Sequence, residues 1–293
     1  MPRLRSANIS SYIELLTMSF RNSNITTPAY FIKIKEDNLP KKRRTNKKYY
    51  MLKLDLLIIA VHPDDAELGA GGVMAKYVAE GKKVGIVDLT QGELGTRGTA
   101  ETRAQEAKDA AEILGLAARE NLGLRDGFFE NAEKEKMAVI RAIRKYQPEI
   151  VITNAITDRH PDHGRAGQMV NEACFLSGLR KVETFDQNNL PQEAYRPRLV
   201  LQFIQDYYIK PDVVIDITDY YHIKEKSVLA YKTQFYTGEN VNPDEPQTYI
   251  SNPDFMESTA ARAREFGRYI QTKYAEGFTS KKIIGVDDLF HLK

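Results

Sequence analysis

A single cysteine, Cys174, excludes an intramolecular disulfide and any cysteine-based zinc cluster, and it fits a reducing, cytoplasmic compartment. No apolar run approaches the roughly 18 residues that a membrane span requires. The N-terminus lacks the apolar core of a secretory signal. No internal repeat is present, and the only biased tract is one basic run, Lys41 to Lys48. What remains is ordinary globular material. Hydrophobic residues make up 42% and charged residues 28% of a 293-residue chain, which is enough for one large or two small domains.

Charge is unevenly placed. Residues 1–50 carry 11 Lys or Arg against 3 Asp or Glu, and the remainder 31 against 37. The body is therefore mildly acidic, and the net charge of +2 gives no reason to expect a nucleic-acid partner. The first 50 residues have no sustained period and read as a disordered basic extension, or as sequence upstream of a true start at Met51. Residues 51–293 read as one domain.

The stretch 54–72, LDLLIIAVHPDDAELGAGG, organises the rest. Leu54 to Val61 is nearly unbroken apolar chain, as a strand buried on both faces reads. Pro63 cannot join a ladder, so the strand ends at His62-Pro63-Asp64-Asp65. Ligands of open α/β sheets bind at that edge. Gly69, Gly71 and Gly72 let backbone approach a neighbour or a ligand closely. Alone, His62 would be a satisfied strand-end histidine and an aspartate beside it a helix cap.

Strand and helix then alternate. Strands are expected at Lys83–Thr90, Glu120–Leu124, Glu149–Asn154, Leu199–Phe203 and Val213–Ile217. Helices are expected at Val73–Glu80, Thr99–Leu114, Glu133–Tyr146, Gly164–Leu176, Ile223–Tyr231 and Asp254–Tyr274. The fold class is α/β, a Rossmann-like, doubly wound, mostly parallel sheet with helices on both faces. In the strand order 3-2-1-4-5, strands one and four are neighbours at the switch point. After strand four comes Asp158-Arg159-His160-Pro161-Asp162-His163. Topology thus brings two His-Pro-Asp clusters, about 100 residues apart, to one crevice.

Two histidines and one aspartate make a normal three-ligand set for catalytic Zn²⁺, and Fe²⁺ or Mn²⁺ tolerates the same set. Each cluster then keeps a spare carboxylate, Asp64 and Asp162, able to accept a water proton. His160 is a spare imidazole, able to steady an oxyanion or, if Asp162 holds it charged, to protonate a leaving amine.

These motifs resemble the zinc-dependent PIG-L/LmbE-like deacetylases over essentially all of residues 51–293. The stretches 88–107, 121–129, 158–167, 230–235 and 274–278 are similar to the members that act on N-acetyl-α-D-glucosaminyl L-malate in bacillithiol biosynthesis. The resemblance implies metal ligands His62, Asp65 and His163, a general base Asp64, and His160 paired with Asp162. It implies that Arg103 and Arg159 meet the sugar conjugate, and an arginine does suit a carboxylate such as malate's. Alone, Arg103 reads as a solvated helix residue beside Glu101 or Glu106. The resemblance also implies a small-molecule N-acetyl sugar substrate and a homo-oligomer, commonly a hexamer.

Three rivals stand against this reading, one of them the same chemistry on another N-acetylglucosamine conjugate. In a nicotinamide-dependent oxidoreductase, Asp88 would meet the ribose, although Gly69, Gly71 and Gly72 do not form G-x-G-x-x-G. In a non-catalytic metal- or sugar-binding protein, the spare Asp64 would have no purpose.

Overall fold

The computed structural model describes residues 52–238 and 246–292. The basic extension expected at residues 1–50 lies outside the described residues. Seven strands form one sheet: β1 Leu56–Ala60, β2 Val84–Thr90, β3 Ala118–Leu124, β4 Ile150–Thr153, β5 Leu199–Phe203, β6 Val213–Asp216 and β7 Ala275–Thr279. The helices are α1 Asp65–Ala79, α2 Ala100–Leu114, α3 Glu133–Tyr146, α4 Pro161–Leu176, α5 Tyr221–Leu229 and α6 Asp254–Tyr269. The strand order is β3-β2-β1-β4-β5-β7-β6. The first five strands pair in parallel, and β7 runs antiparallel to both β5 and β6.

The unbroken apolar run in β1 follows from burial on both faces, because successive side chains point to opposite sides. Leu57 and Ile59 pack with Ile140 and Ile143 of α3 and Met169 and Val170 of α4. Leu56 and Ile58 pack with Val73 and Met74 of α1, Phe203 and Ile217. Each fully buried aliphatic side chain contributes about 1.5–3 kcal/mol to folding.

Three helix boundaries differ from expectation by three residues or more. Helix α1 begins at Asp65 instead of Val73, so the glycines lie inside it, on either side of a break at Ala70 (φ −145°). They serve packing: a Cβ at Gly69 would overlap the Phe203 ring, and one at Gly72 would lie 2.5 Å from Ile217. Helix α4 begins at Pro161, a residue suited to a first helical turn. Helix α6 stops at Tyr269, five residues short of the expected end at Tyr274, and strand β7 begins directly after that position, at Ala275. None of the described helices is long and apolar enough to cross a membrane.

Candidate metal and catalytic site

Strands β1 and β4 lie side by side, with Ile59 opposite Thr153. Beyond their ends the Val61 N–H donates to Asn154 Oδ1 at 2.9 Å, tying the two exits together. The first exit turns into α1 and carries His62, Asp64 and Asp65. The second turns into α4 and carries His160, Asp162 and His163. The ring centroids of His62, His160 and His163 lie 4.8–5.6 Å apart. The crevice foreseen from topology is therefore present, and it gathers both clusters.

Asp65 sits between two of these histidines. Its Oδ2 is 3.4 Å from His62 Nδ1, and its Oδ1 is 3.2 Å from His163 Nε2. The far nitrogen of each ring is held by another carboxylate: His62 Nε2 by Asp126 at 2.9 Å, and His163 Nδ1 by Asp158 at 2.6 Å. Asp65 also accepts from the His62 N–H, from Asn154 Nδ2 and from Gln205 Nε2. A carboxylate behind each imidazole is the outer-shell arrangement that fixes a metal-binding tautomer and raises ligand basicity. Other donor sets also converge: atoms of His62, His160 and His163 lie within 4.8 Å of one another, as do atoms of His62, Asp126 and Asp162. The described residues thus contain His/Asp groups with the donor chemistry to bind a metal ion.

The crowding shifts protonation. Burial pulls the His62 pKa down, but hydrogen bonds to Asp126 and Asp65 outweigh it and leave the ring at about 10. His163 stands at about 9, where Asp65 and Asp158 outweigh burial. Asp65 lies well below the carboxylate range because His163 and His62 overcome its desolvation. His160 is lowered by burial and by its two histidine neighbours. Asp64 is raised to about 7 by burial, against the opposing charge of Arg103.

Asp64 is buried, and its φ of 126° lies in a region unfavourable to side chains. Arg103 anchors it. One guanidinium nitrogen donates to Asp64 Oδ2 at 3.0 Å and to the Pro63 carbonyl, and another donates to the Gly92 carbonyl. Arg103 is 4% exposed, so the solvated-helix reading fails.

A family model described as "PIG-L: GlcNAc-PI de-N-acetylase" matches residues 57–174. The diacetylchitobiose deacetylase of Thermococcus kodakarensis is 31% identical over 191 residues, which cover 61% of this chain and 70% of that protein. The chain belongs to the PIG-L family. It is accordingly a deacetylase, a hydrolase acting on amide bonds. The crystal structure of the conserved protein TT1542 from Thermus thermophilus superposes with a TM-score of 0.69 at 35% identity, over 80% of this chain and 98% of that one. A Bacillus subtilis protein named as a probable N-acetyl-α-D-glucosaminyl L-malate deacetylase is 28% identical over 203 residues, 62% of this chain and 84% of that protein.

In this PIG-L deacetylase the converging donors open into a cavity of about 420 Å³. Phe255, Ser258, Thr259, Arg262, Ala263 and Phe266 line it, one whole face of α6 at helical spacing. Leu68, Gly69 and Ile204 line it as well. Arg159 stands at the cavity with a half-exposed side chain. It pairs with Asp206 at 3.2 Å and lies over the Tyr249 ring.

One expectation is corrected in detail. Asp162 does not hold His160 through its carboxylate. His160 Nδ1 accepts from the Asp162 backbone N–H at 3.3 Å, because His160 caps α4. The Asp162 carboxylate instead accepts from the Gly127 N–H and pairs with Arg165 at 2.7 Å. Arg103, expected to meet the substrate, lines the cavity and also holds Asp64. Asp88, the acid a nicotinamide enzyme would need, is taken by both Nε and Nη2 of Arg119 in a buried pair.

Sequence reasoning missed Asp126, Asp158, Asn154 and Gln205. Asp158 and Asp126 fall inside stretches already singled out, 158–167 and 121–129. Asn154 follows directly on strand β4, and Gln205 is the second residue past strand β5. Nothing in the sequence alone marks Gln205 as a partner of Asp65.

Proposed function

We propose that the chain removes the N-acetyl group of N-acetylglucosaminyl-malate, giving glucosaminyl-malate and acetate as a step of bacillithiol biosynthesis, and that residues 51–293 form the catalytic domain. The observation that carries the hydrolytic reading is a spare buried carboxylate, Asp64, beside a converging His-Asp-His group. Among the donor sets, His62, Asp65 and His163 are the ligands assigned to Zn²⁺. Both rings have a carboxylate behind them, and Asp65 already bridges the two nitrogens that face it. Bound Zn²⁺ supplies Lewis acidity that lowers the pKa of water and polarises an acyl oxygen.

The remaining work belongs to the chain. Asp64, whose pKa of about 7 leaves it half ionised near pH 7 and which Arg103 holds, takes the proton of the attacking water in its ionised form. His160 Nδ1 accepts from a backbone N–H, so the neutral ring carries its proton on Nε2. That N–H donates to the oxyanion formed when the water oxygen adds to the amide carbon. Asp64 then returns its proton to the amine nitrogen as the C–N bond breaks. Water and amide become acetate and free amine, with no redox partner.

The malate conjugate rests on the quoted stretches and on similarity to the Bacillus subtilis protein. A second reading, another N-acetylglucosamine conjugate such as diacetylchitobiose, is favoured by the Thermococcus kodakarensis relative. The test measures bound metal on the full chain and follows acetate release from N-acetylglucosaminyl-malate, diacetylchitobiose and N-acetylglucosamine. The expected result is about one Zn²⁺ per chain and preference for the malate conjugate. Turnover of diacetylchitobiose alone would move the substrate to the second reading, and metal without any acetate release would overturn the hydrolytic one.

A further inference from the structure

The charged side chains lining the cavity are paired almost completely. Arg103 is taken by Asp64, and Lys224 by Glu276 at 2.7 Å. Asp65, Asp126 and Asp158 are taken by the two histidines. Arg159 is matched by Asp206. Arg262 differs. Its guanidinium donates to the Asp206 backbone carbonyl at 2.7 Å, and among the described residues no carboxylate lies within ion-pairing distance of it. It is half-buried on the cavity face of α6, where keeping a charge without a counter-ion is costly.

We infer that Arg262 is the anchor of an anion subsite, and that it binds a carboxylate or phosphate borne by the aglycone of the substrate. This deepens the proposed function and rests on it for the acylated-sugar half of the molecule. The geometry favours Arg262 over the other two arginines of the cavity. Arg103 spends its donors on Asp64 and on two carbonyls. Arg159 already has a carboxylate partner and lies over an aromatic face. Arg262 has one carbonyl bond and retains free N–H groups of a planar fork suited to bidentate contact with an oxyanion. It also lies outside the matched residues 57–174, so this contact would separate the chain's choice of aglycone from the shared deacetylation chemistry.

Calorimetric titration with glucosaminyl-malate, glucosamine 1-phosphate and glucosamine tests the subsite without relying on turnover. Wild type is expected to bind at least one charged conjugate about tenfold or more tighter than glucosamine. Whichever charged conjugate gains identifies a carboxylate or a phosphate as the anion. Arg262→Gln is expected to lose that gain while glucosamine binding stays unchanged, and Arg262→Lys to recover part of it. Arg262→Met, which keeps the aliphatic stem on α6, repeats the measurement should the glutamine variant lose its fold. Equal binding of all three ligands by wild type, or preference retained in both neutral variants, would overturn the inference. The proposed function fails separately, if wild type binds the malate conjugate but releases no acetate from its N-acetyl form.

Discussion

Asp64 occupies a backbone conformation that costs roughly 1–3 kcal/mol for a residue with a side chain. That strain turns its carboxylate toward Arg103 and the cavity instead of toward the first turn of α1, where it makes no capping bond. Replacing Asp64 with asparagine keeps the volume and removes the proton acceptor. Turnover should fall about 10²- to 10⁴-fold with bound metal unchanged. Single-turnover acetate release beside a metal assay checks this, and normal turnover with metal retained would remove Asp64 from the mechanism. Asp126 makes a different case. It is bonded to His62, and under the proposed ligand assignment Asp126→Asn should weaken metal affinity about 10- to 100-fold, as read by chelator competition, while the fold persists. The residues to which the proposed function gives the reaction were visible in the sequence because they cluster after two buried strands. The residues that orient them were not, because Asp126 reaches His62 from the end of β3, 64 positions along the chain, and no local pattern encodes such a meeting.

At the scale of elements, α1 is two helical pieces joined at Ala70, and β7 supplies the cap for the second piece. Glu276 accepts from the N–H groups of Gly72 and Val73, and its Oε1 also takes the Lys224 ammonium. Glu276→Ala would leave two helix-start donors and a buried ammonium short of a partner. The expected loss is about 3–5 kcal/mol. Chemical denaturation measures it, and a change below about 1 kcal/mol would show that the ammonium finds another partner. The parallel half of the sheet was legible, because strand and helix periods alternate cleanly from Leu54 to Phe203. β7 was not. Its sequence, AEGFT, lacks an alternating pattern, and the helix before it ends at Tyr269, shortly before a left-handed turn at Gln271 (φ 58°), a residue type that does not announce such a turn. Helix-forming residues therefore seemed to run on to Tyr274.

For the molecule as a whole, the proposed ligand assignment makes protons and metal compete for the same nitrogens. His62 and His163 titrate near 10 and 9 in the metal-free fold, against about 6.5 in an unfolded chain. Their raised values stabilise the metal-free fold fully below about pH 6.5, and that contribution fades as pH rises toward 9 and 10. Metal binding follows the opposite sign, since both rings must lose a proton before they coordinate. Below about pH 9 the apparent metal affinity should rise by up to about a hundredfold per pH unit, and between about 9 and 10 by about tenfold per unit. Heating the metal-free protein at pH 6 and at pH 9 should show the lower midpoint at pH 9, and added Zn²⁺ should restore most at the higher pH. Calorimetry at pH 7 in buffers of differing ionisation enthalpy counts the protons directly, with about two released per metal expected. No release would mean that the two rings are neutral before metal arrives, and that their aspartate partners orient them without charging them.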